Sequence, residues 1–522
     1  MDLGLDFGTT HTVVAHGDRG NYPVVTFLDE EGDARDHFPS VVADDGGRLV
    51  YGFAALAAAG RGMPSTRSFK RLLAEPRVTP HTLMRVGERE VPLLDVLTGL
   101  FSAVLDALRT ASSIDERLDP SEAPRTMLGV PAQAGSAQRF LTLEACRRAG
   151  FDVAGLVNEP SAASFEFAHR QARSITSRRD LVIVYDLGGG TFDASLLRLS
   201  GTHHEVLDSF GVNRLGGDDF DEALATTVLL ASGRARAGLG EAAWAALLEE
   251  CREAKERVGP QSRRIAVEVP DADGQDTTTV TVPVDDYYAA VTPLVTATTE
   301  AMEPLVQSLK ASDGHGDELQ GVAGIYIVGG ASGLPLVPRQ LRTRFGRRVH
   351  RSPMPSASTA VGLAIAADPD AGFSLRDRLS RGFGVFRERD GGAAVSFDPV
   401  LDRSLHTGEA LADSQHAEPV VVTRRYRAAH NIGWFRFVEY SSVDDQGEPR
   451  GDLAPVAQIV FPFDPALQEA VDEGSELREL PIVRLESGPL LEERYTVDPA
   501  GIIELSLTDL TTGYRQEHVL RA

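Results

Sequence analysis

Two short stretches carry the residue types that phosphate chemistry needs, and they carry them in the same order. LGLDFGTTHTVVA at 3–15 and IVYDLGGGTFDASLL at 183–197 each read as an apolar strand, an Asp, a Gly turn with Thr, and a second strand. Phosphate oxygens need backbone N–H groups at close range, and a Cβ on the turn would hold the ligand off. Gly8, Gly188, Gly189 and Gly190 supply that access, and Thr9, Thr10 and Thr191 add hydroxyl donors at the same height. Either turn alone reads more simply as an ordinary hairpin. Their repetition favours two related half-domains facing each other across a cleft lined by both turns. Asp6 and Asp186 stand at the mouths of the hairpins, where phosphates would repel a carboxylate unless a cation lay between them. Mg²⁺ suits that place, held through water because it keeps several waters and takes few protein carboxylates. Turn capping by the same carboxylates is the rival reading.

Other candidates lie further along the chain. Lys70, Lys255 and Lys310 are the only lysines among many arginines. A lysine kept in such a chain offers a compact ammonium that Arg cannot, and Lys70 in TRSFKRLL could set it against a terminal phosphate; a solvated lysine explains it equally well. Glu159, in LVNEPSAAS, points off a strand end before a small-residue helix that Pro160 helps to start. General-base work or helix-start electrostatics would both account for it, and Asp193 has the same pair of readings. Gly329 and Gly330 close the strand GIYIV ahead of a helix, as a turn beside a nucleotide would; RLGGDDFDEAL at 214–224 is a Gly turn feeding an Asp-capped helix.

The elements that position these residues divide in two. Up to about Ala367 short apolar runs alternate with helical periods such as DVLTGLFSAVLDALRTA, a mixed α/β pattern; beyond 368–382 alternating β runs such as PVVVTRRYR and GWFRFVEYSSV take over. The chain has 522 residues, 42% of them hydrophobic and 25% charged, enough for about three or four domain-sized units. A formal net charge of -24 disfavours nucleic acid and anionic membranes as partners. Cys146 and Cys251 are too far apart and too isolated for a disulfide framework or a zinc site. The acidic start MDLGLDFG is unlike a secretory signal, and 321–338 is broken by Gly329, Gly330 and Pro335, so a cytoplasmic setting without a membrane span is expected.

In their order, LDFGTTHT, FKRLL, GVPAQAGSAQR, RRAGFDVAGLVNEPSAA, YDLGGGTFD, RLGGDDFD, EAKERV and IVGGASGLP resemble the seventy-kilodalton heat-shock chaperone family, within the actin, sugar-kinase and chaperone ATPase superfamily. The resemblance covers residues 1 to about 367, and two later segments, 430–444 and 494–514, are similar to the family's β substrate-binding domain. It implies a two-lobed actin-like ATPase domain of duplicated ribonuclease-H-like halves at 1–367, a linker at 368–382, and a β-sandwich-like domain at 383–522. It also implies ATP/ADP and Mg²⁺ as ligands, with Gly8 to His11 and Gly188 to Thr191 on the phosphates. Lys70, Glu159, Asp186, Asp193 and Asp6 would form the hydrolytic centre. Gly216, Gly217, Asp218, Lys255, Gly329, Gly330 and Ala331 would complete the nucleotide site.

The departures from the family fall on the nucleoside side. Gly333 stands where the family has an arginine against adenine, Arg252 where it has a ribose-binding glutamate, Ser356 where it has an acidic residue, and Gln133 and Ala134 where it has an aromatic pair. The linker carries only scattered apolar residues, the stretch 384–418 is shorter than the family's peptide cradle, and the chain stops at Ala522, so a lidless chaperone is expected. The implied partners are unfolded or apolar protein segments, a J-domain-type co-chaperone and a nucleotide-exchange factor. A small-molecule kinase of the same superfamily and a nucleotide sensor without turnover are the alternatives.

Overall fold

A computed structural model of the chain describes residues 1–119, 121–270, 276–313, 319–379, 381–406, 419–444, 446–451, 453–472 and 477–520. Part of the stretch expected to be short, 407–418, lies outside the described residues. The first lobe is built on a five-stranded sheet. In it Asp2–Phe7 forms a hairpin with His11–His16 and lies parallel to Arg125–Val130, which in turn pairs with Asp152–Asn158. The second lobe repeats this plan in a six-stranded sheet: Leu181–Leu187 forms a hairpin with Thr191–Ser200 and lies parallel to Val322–Val328. Strands covered on both faces read as continuous apolar runs, which is why LVIVYDL and VAGIYIV show little alternation.

Two helices fill the space between the sheets. Glu159–Gln171 and Ser358–Ala367 share one buried cluster with residues of both lobes. Their small residues are explained by distance: a Cβ on Gly362 would stand 1.8 Å from Ala162 O, and one on Gly4 would stand 2.2 Å from Ala364 N. Backbones this close leave no room for a side chain, so SAAS and STAVGLAIAA are the sequence cost of bringing the lobes together.

The tail forms two four-stranded antiparallel sheets. One has the order Ala394–Leu401, Gly382–Arg389, Ile432–Tyr440, Ala454–Pro462; the other Val420–Arg427, Leu490–Val497, Ile503–Asp509, Arg515–Leu520. Their inner faces share one apolar cluster, and exposure alternates strictly along Val420–Arg427, as expected of a sheet solvated on one side. Residues between the two parts are docked: Ser374–Arg376 adds to the edge of the second-lobe sheet beside His203–Glu205, and Leu375 is buried there. Among the described residues no helix is long and apolar enough to cross a membrane. Cys146 and Cys251 are both free and buried.

Candidate functional site

The two Gly-Thr hairpins close identically. Gly8 N donates to His11 O at 3.0 Å, and Gly188 N donates to Thr191 O at 3.0 Å. Ser40 pins the first turn, its N donating to Thr10 O at 2.9 Å and its hydroxyl to Gly8 O at 2.9 Å. The start of helix Gly217–Ala231 pins the second, with Gly217 N on Gly188 O at 3.0 Å and Asp218 N on Gly189 O at 2.8 Å. The turns also touch each other. A Cβ on Gly189 would stand 2.4 Å from Thr10 Oγ1, one on Gly190 2.8 Å from Thr9 Oγ1, and one on Gly216 2.6 Å from Gly189 O. None of these glycines has positive φ, so close approach is what demands them.

Between the turns lies a cavity of about 320 Å³, within the range of small-molecule sites. Gly8, Thr9, Thr10 and His11 line it from the first lobe, and Gly188, Gly189 and Thr191 from the second. Lys70, Glu159, Asp6 and Asp186 form its floor, and Gly217, Lys255, Gly329, Gly330 and Ala331 its far side. Asp193, Gly190, Gly216 and Asp218 are not on the wall: Asp193 pairs with Asp186 across the hairpin, and Gly190 and Gly216 support the turn. Asp218 faces Arg71 at 3.4 Å and Arg252 at 3.7 Å. Gly329 is a glycine for two reasons, a φ of 85° and a Cβ position 2.5 Å from Asp186 Oδ1.

The floor concentrates negative charge out of water. Asp6 and Asp186 end equivalent strands, Glu159 opens its helix, and Lys70 comes from the short helix Phe69–Ala74. Lys70 Nζ donates to Glu159 Oε1 at 2.8 Å and lies 5.3 Å from the Phe7 ring centre. Burial pushes the Asp6 carboxyl up to about 7, with Glu159 adding to the rise and Lys70 opposing it. Burial and Glu159 likewise raise Asp193 to about 7, and Asp186 goes well above the usual carboxylate range. Burial opposes the Lys70 charge, yet Glu159 and Asp6 outweigh it and raise its pKa. Four carboxylates around one ammonium form a set that a cation would stabilise. Among the described residues no group of three or more His, Cys, Asp or Glu is arranged to hold a metal by itself. The donors therefore suit a hydrated Mg²⁺ shared with phosphates rather than an all-protein cage.

The opposite end of the cavity is electrostatically closed. Lys255 Nζ meets Asp221 Oδ1 at 2.7 Å and donates to Gly217 O at 3.0 Å. Arg252 reaches Glu249 at 2.9 Å, Asp221 at 3.6 Å and Asp218 at 3.7 Å. Ser356 lines the wall, and Arg351 Nη2 lies 3.6 Å from where a Gly333 side chain would begin. Gln133 and Ala134 sit outside the cavity; Gln133 Nε2 donates to Ser209 O at 3.1 Å.

Sequence reasoning missed several contributors. Asp36 and His37 also line the cavity, with His37 Nδ1 2.8 Å from Asp36 Oδ1 and the His11 and His37 rings 3.8 Å apart. Burial holds His11 well below the usual imidazole range, and His37 adds to that. Arg71, next to Lys70, crosses to Asp219 at 2.7 Å and ties the lobes together. Ser40, Asp36 and His37 follow the first turn by about thirty residues in a segment with no motif, so only the fold could bring them in.

The family model described as Hsp70 protein matches residues 100–379. A chaperone protein HscA homolog of Pseudomonas fluorescens (strain SBW25) is 30% identical over 427 residues, covering 79% of this chain and 63% of that protein. Chaperone protein HscA of Edwardsiella ictaluri (strain 93-146) is 33% identical over 406 residues, covering 74% and 62%. That of Cronobacter sakazakii (strain ATCC BAA-894) is 30% identical over 406 residues, again 74% and 62%. The chain thus spans somewhat under two thirds of the length of these relatives. The duplicated lobes are the family's actin-like ATPase fold, followed by β-rich sheets. With one architecture, one order of motifs and a family match across more than half its length, the chain belongs to the Hsp70 family.

Proposed function

We propose that the chain is an ATP-dependent, chaperone-like ATPase. In this reading 1–367 binds and slowly hydrolyses ATP, 368–382 is the joint, and 383–522 holds apolar client segments. The observation that carries it is the contact between the two turns around a cavity floored by Lys70 and buried carboxylates. Backbone N–H groups of both turns, with the hydroxyls of Thr9, Thr10 and Thr191, donate to phosphate oxygens. Through water, Asp6 and Asp186 would hold Mg²⁺, a group that would supply neutralisation of phosphate charge when bound. Lys70 Nζ, preset by Glu159, donates to the terminal phosphate. Glu159 and Asp193 orient the attacking water and accept its proton, a role for which burial, by raising the Asp193 carboxyl to about 7, suits Asp193 near neutral pH. Positioning and charge neutralisation supply most of the acceleration in phosphoryl transfer.

Coupling to the tail has a continuous polar route. Asn158, beside Glu159, donates to Asp377 Oδ2 at 2.8 Å and accepts from Arg139, whose other nitrogen reaches Ala500 O at 3.2 Å. Ser136 N donates to Glu439 Oε1 at 2.9 Å, and Arg403 donates to Ser209 O at 3.0 Å. On this reading a J-domain-type co-chaperone and a nucleotide-exchange factor set the cycle. The buried free thiols suit a reducing cytoplasm. The test is Mg²⁺-dependent phosphate release from ATP by the purified chain. Slow release without any acceptor supports the proposal; release only with an added small acceptor marks a kinase, and binding without release marks a sensor.

A further inference from the structure

Two turns meet a third segment at one end of the β-rich sheets. Residues 390–393 join strands Gly382–Arg389 and Ala394–Leu401, and residues 428–431 carry the chain from Val420–Arg427 to Ile432–Tyr440. The chain's own segment 480–485, LPIVRL, lies along the second turn and reaches the first. Asn431 N donates to Val483 O at 2.9 Å, and Leu485 N donates to Ala429 O at 2.9 Å. The Asn431 side chain makes two more bonds, accepting from Val483 N at 2.7 Å and donating to Pro481 O at 3.2 Å. His430 and Arg484 form an antiparallel bridge. Ile482 lies against Gly392, whose φ is 86° and whose Cβ position is 3.5 Å from the Ile482 side chain.

This segment combines an apolar sequence with a weak hold. It is rich in aliphatic residues, yet Val483 is 53% exposed and Leu480 39% exposed. Its attachment rests on hydrogen bonds from its backbone to the main chain of one turn and to the Asn431 side chain, with Ile482 and Leu485 only half-buried. Few buried apolar contacts and exposed backbone bonds mark segments that open at little free-energy cost. Pairing of an extended aliphatic stretch through its backbone is also how strand-adding sites take peptides.

We infer that residues 480–485 are a built-in strap that occupies a peptide-docking site, and that an extended client with an aliphatic residue in place of Ile482 displaces it. The inference rests on the client-binding reading above. It assigns the recognising groups to Asn431, Ala429 and the surface beside Gly392, and makes the strap an internal competitor. The apparent affinity for a client is then the intrinsic affinity reduced by the fraction of time the strap is away.

The experiment uses the full chain and a fluorescein-labelled peptide of the strap's own sequence, LPIVRLE, followed by anisotropy. An opened variant, Ile482→Ser with Val483→Pro, removes the Gly392 contact and the Val483 N–H donor. A locked variant, His430→Cys with Arg484→Cys, joins bridge partners by a disulfide and leaves the aliphatic residues intact. Opening is expected to tighten peptide binding by about tenfold, and oxidation of the locked variant to abolish binding that reductant restores. Reduced, carboxymethylated lactalbumin serves as a separate unfolded-protein probe. If the parent binds that protein but opening and locking leave peptide affinity unchanged, the strap is overturned while client binding stands. If neither parent nor opened chain binds either probe, both readings fall.

Discussion

The two ends of the cavity between the turns solve opposite electrostatic problems. At the turn end Asp6, Glu159, Asp186 and Asp193 crowd around Lys70, and burial together with the nearby Glu159 charge pushes the Asp6, Asp186 and Asp193 carboxyls up. At the other end Arg252 and Lys255 are already matched by Asp218, Asp221, Glu249 and the Gly217 carbonyl. One end holds raised carboxyls that a cation would relieve, and at the other the Arg252 and Lys255 charges are paired from within the protein. On the proposed ATPase reading, such a division would place binding energy on the phosphates and leave little for the base. Arg252 and Ser356, two of the positions expected to depart from the family, both line the cavity wall.

The contrast can be broken most severely at Lys70. Replacing it with Ala should lower ATP turnover by about 10³-fold with the fold retained by circular dichroism, because one preorganised donor to developing charge is worth that order. Undiminished phosphate release would remove Lys70 from the chemistry. Gly189→Ala places a methyl group 2.4 Å from Thr10 Oγ1 and should weaken Mg·ATP binding by about a hundredfold in calorimetry.

A milder probe is pH. The Asp6 and Asp193 carboxyls are raised to about 7, so near pH 7 they are partly protonated, while Mg²⁺ with phosphates favours their ionised form. Binding should release protons and strengthen as pH rises through about 7. Calorimetry in buffers of different ionisation enthalpy reads the release, and no release between pH 6.5 and 8 would sink the idea that a cation relieves the raised carboxyls.

The joint between the two parts gives a further handle. Burial raises the Asp377 carboxyl from its ordinary 3.8 to about 6, against the pull of Arg139. A raised acid costs stability above its folded value and nothing below its unfolded one, so this group lowers stability as pH climbs from about 4 to about 6. Asp377→Asn should flatten that part of the melting-temperature profile; an unchanged slope would assign it to other groups. The smallest effect is expected at the closed end: Arg252→Met should change the ATP-to-GTP affinity ratio by less than about threefold while lowering stability by about 3 kcal/mol, the cost of breaking buried ion pairs. A large loss of base discrimination would show that Arg252 reads the nucleoside.

Much of the site was visible along the chain because its chemistry is local. A turn that must admit phosphate or touch another backbone needs glycine, and Gly8, Gly189 and Gly216 announce it whatever surrounds them. Glu159 was legible for a similar reason, as a strand-to-helix junction has a fixed sequence form. Ser40, Arg71, Asp36 and His37 were not, since each acts on a partner distant in sequence and its own neighbourhood carries no pattern. The edge strand Ser374–Arg376 was hidden too: three residues are too few to show a period, and what forms it is the open edge left by His203–Asn213.

Residue order alone determined that two similar Gly-Thr hairpins precede a β-rich tail, because steric demands on glycine and the alternation of buried side chains are written residue by residue. Only the folded chain decided that the hairpins touch, that four acids share one lysine, that one end of the cavity is neutralised from within, and that residues 480–485 lie across the sheet end. Those are facts of distance and burial between remote segments, and no run of neighbouring residues encodes them.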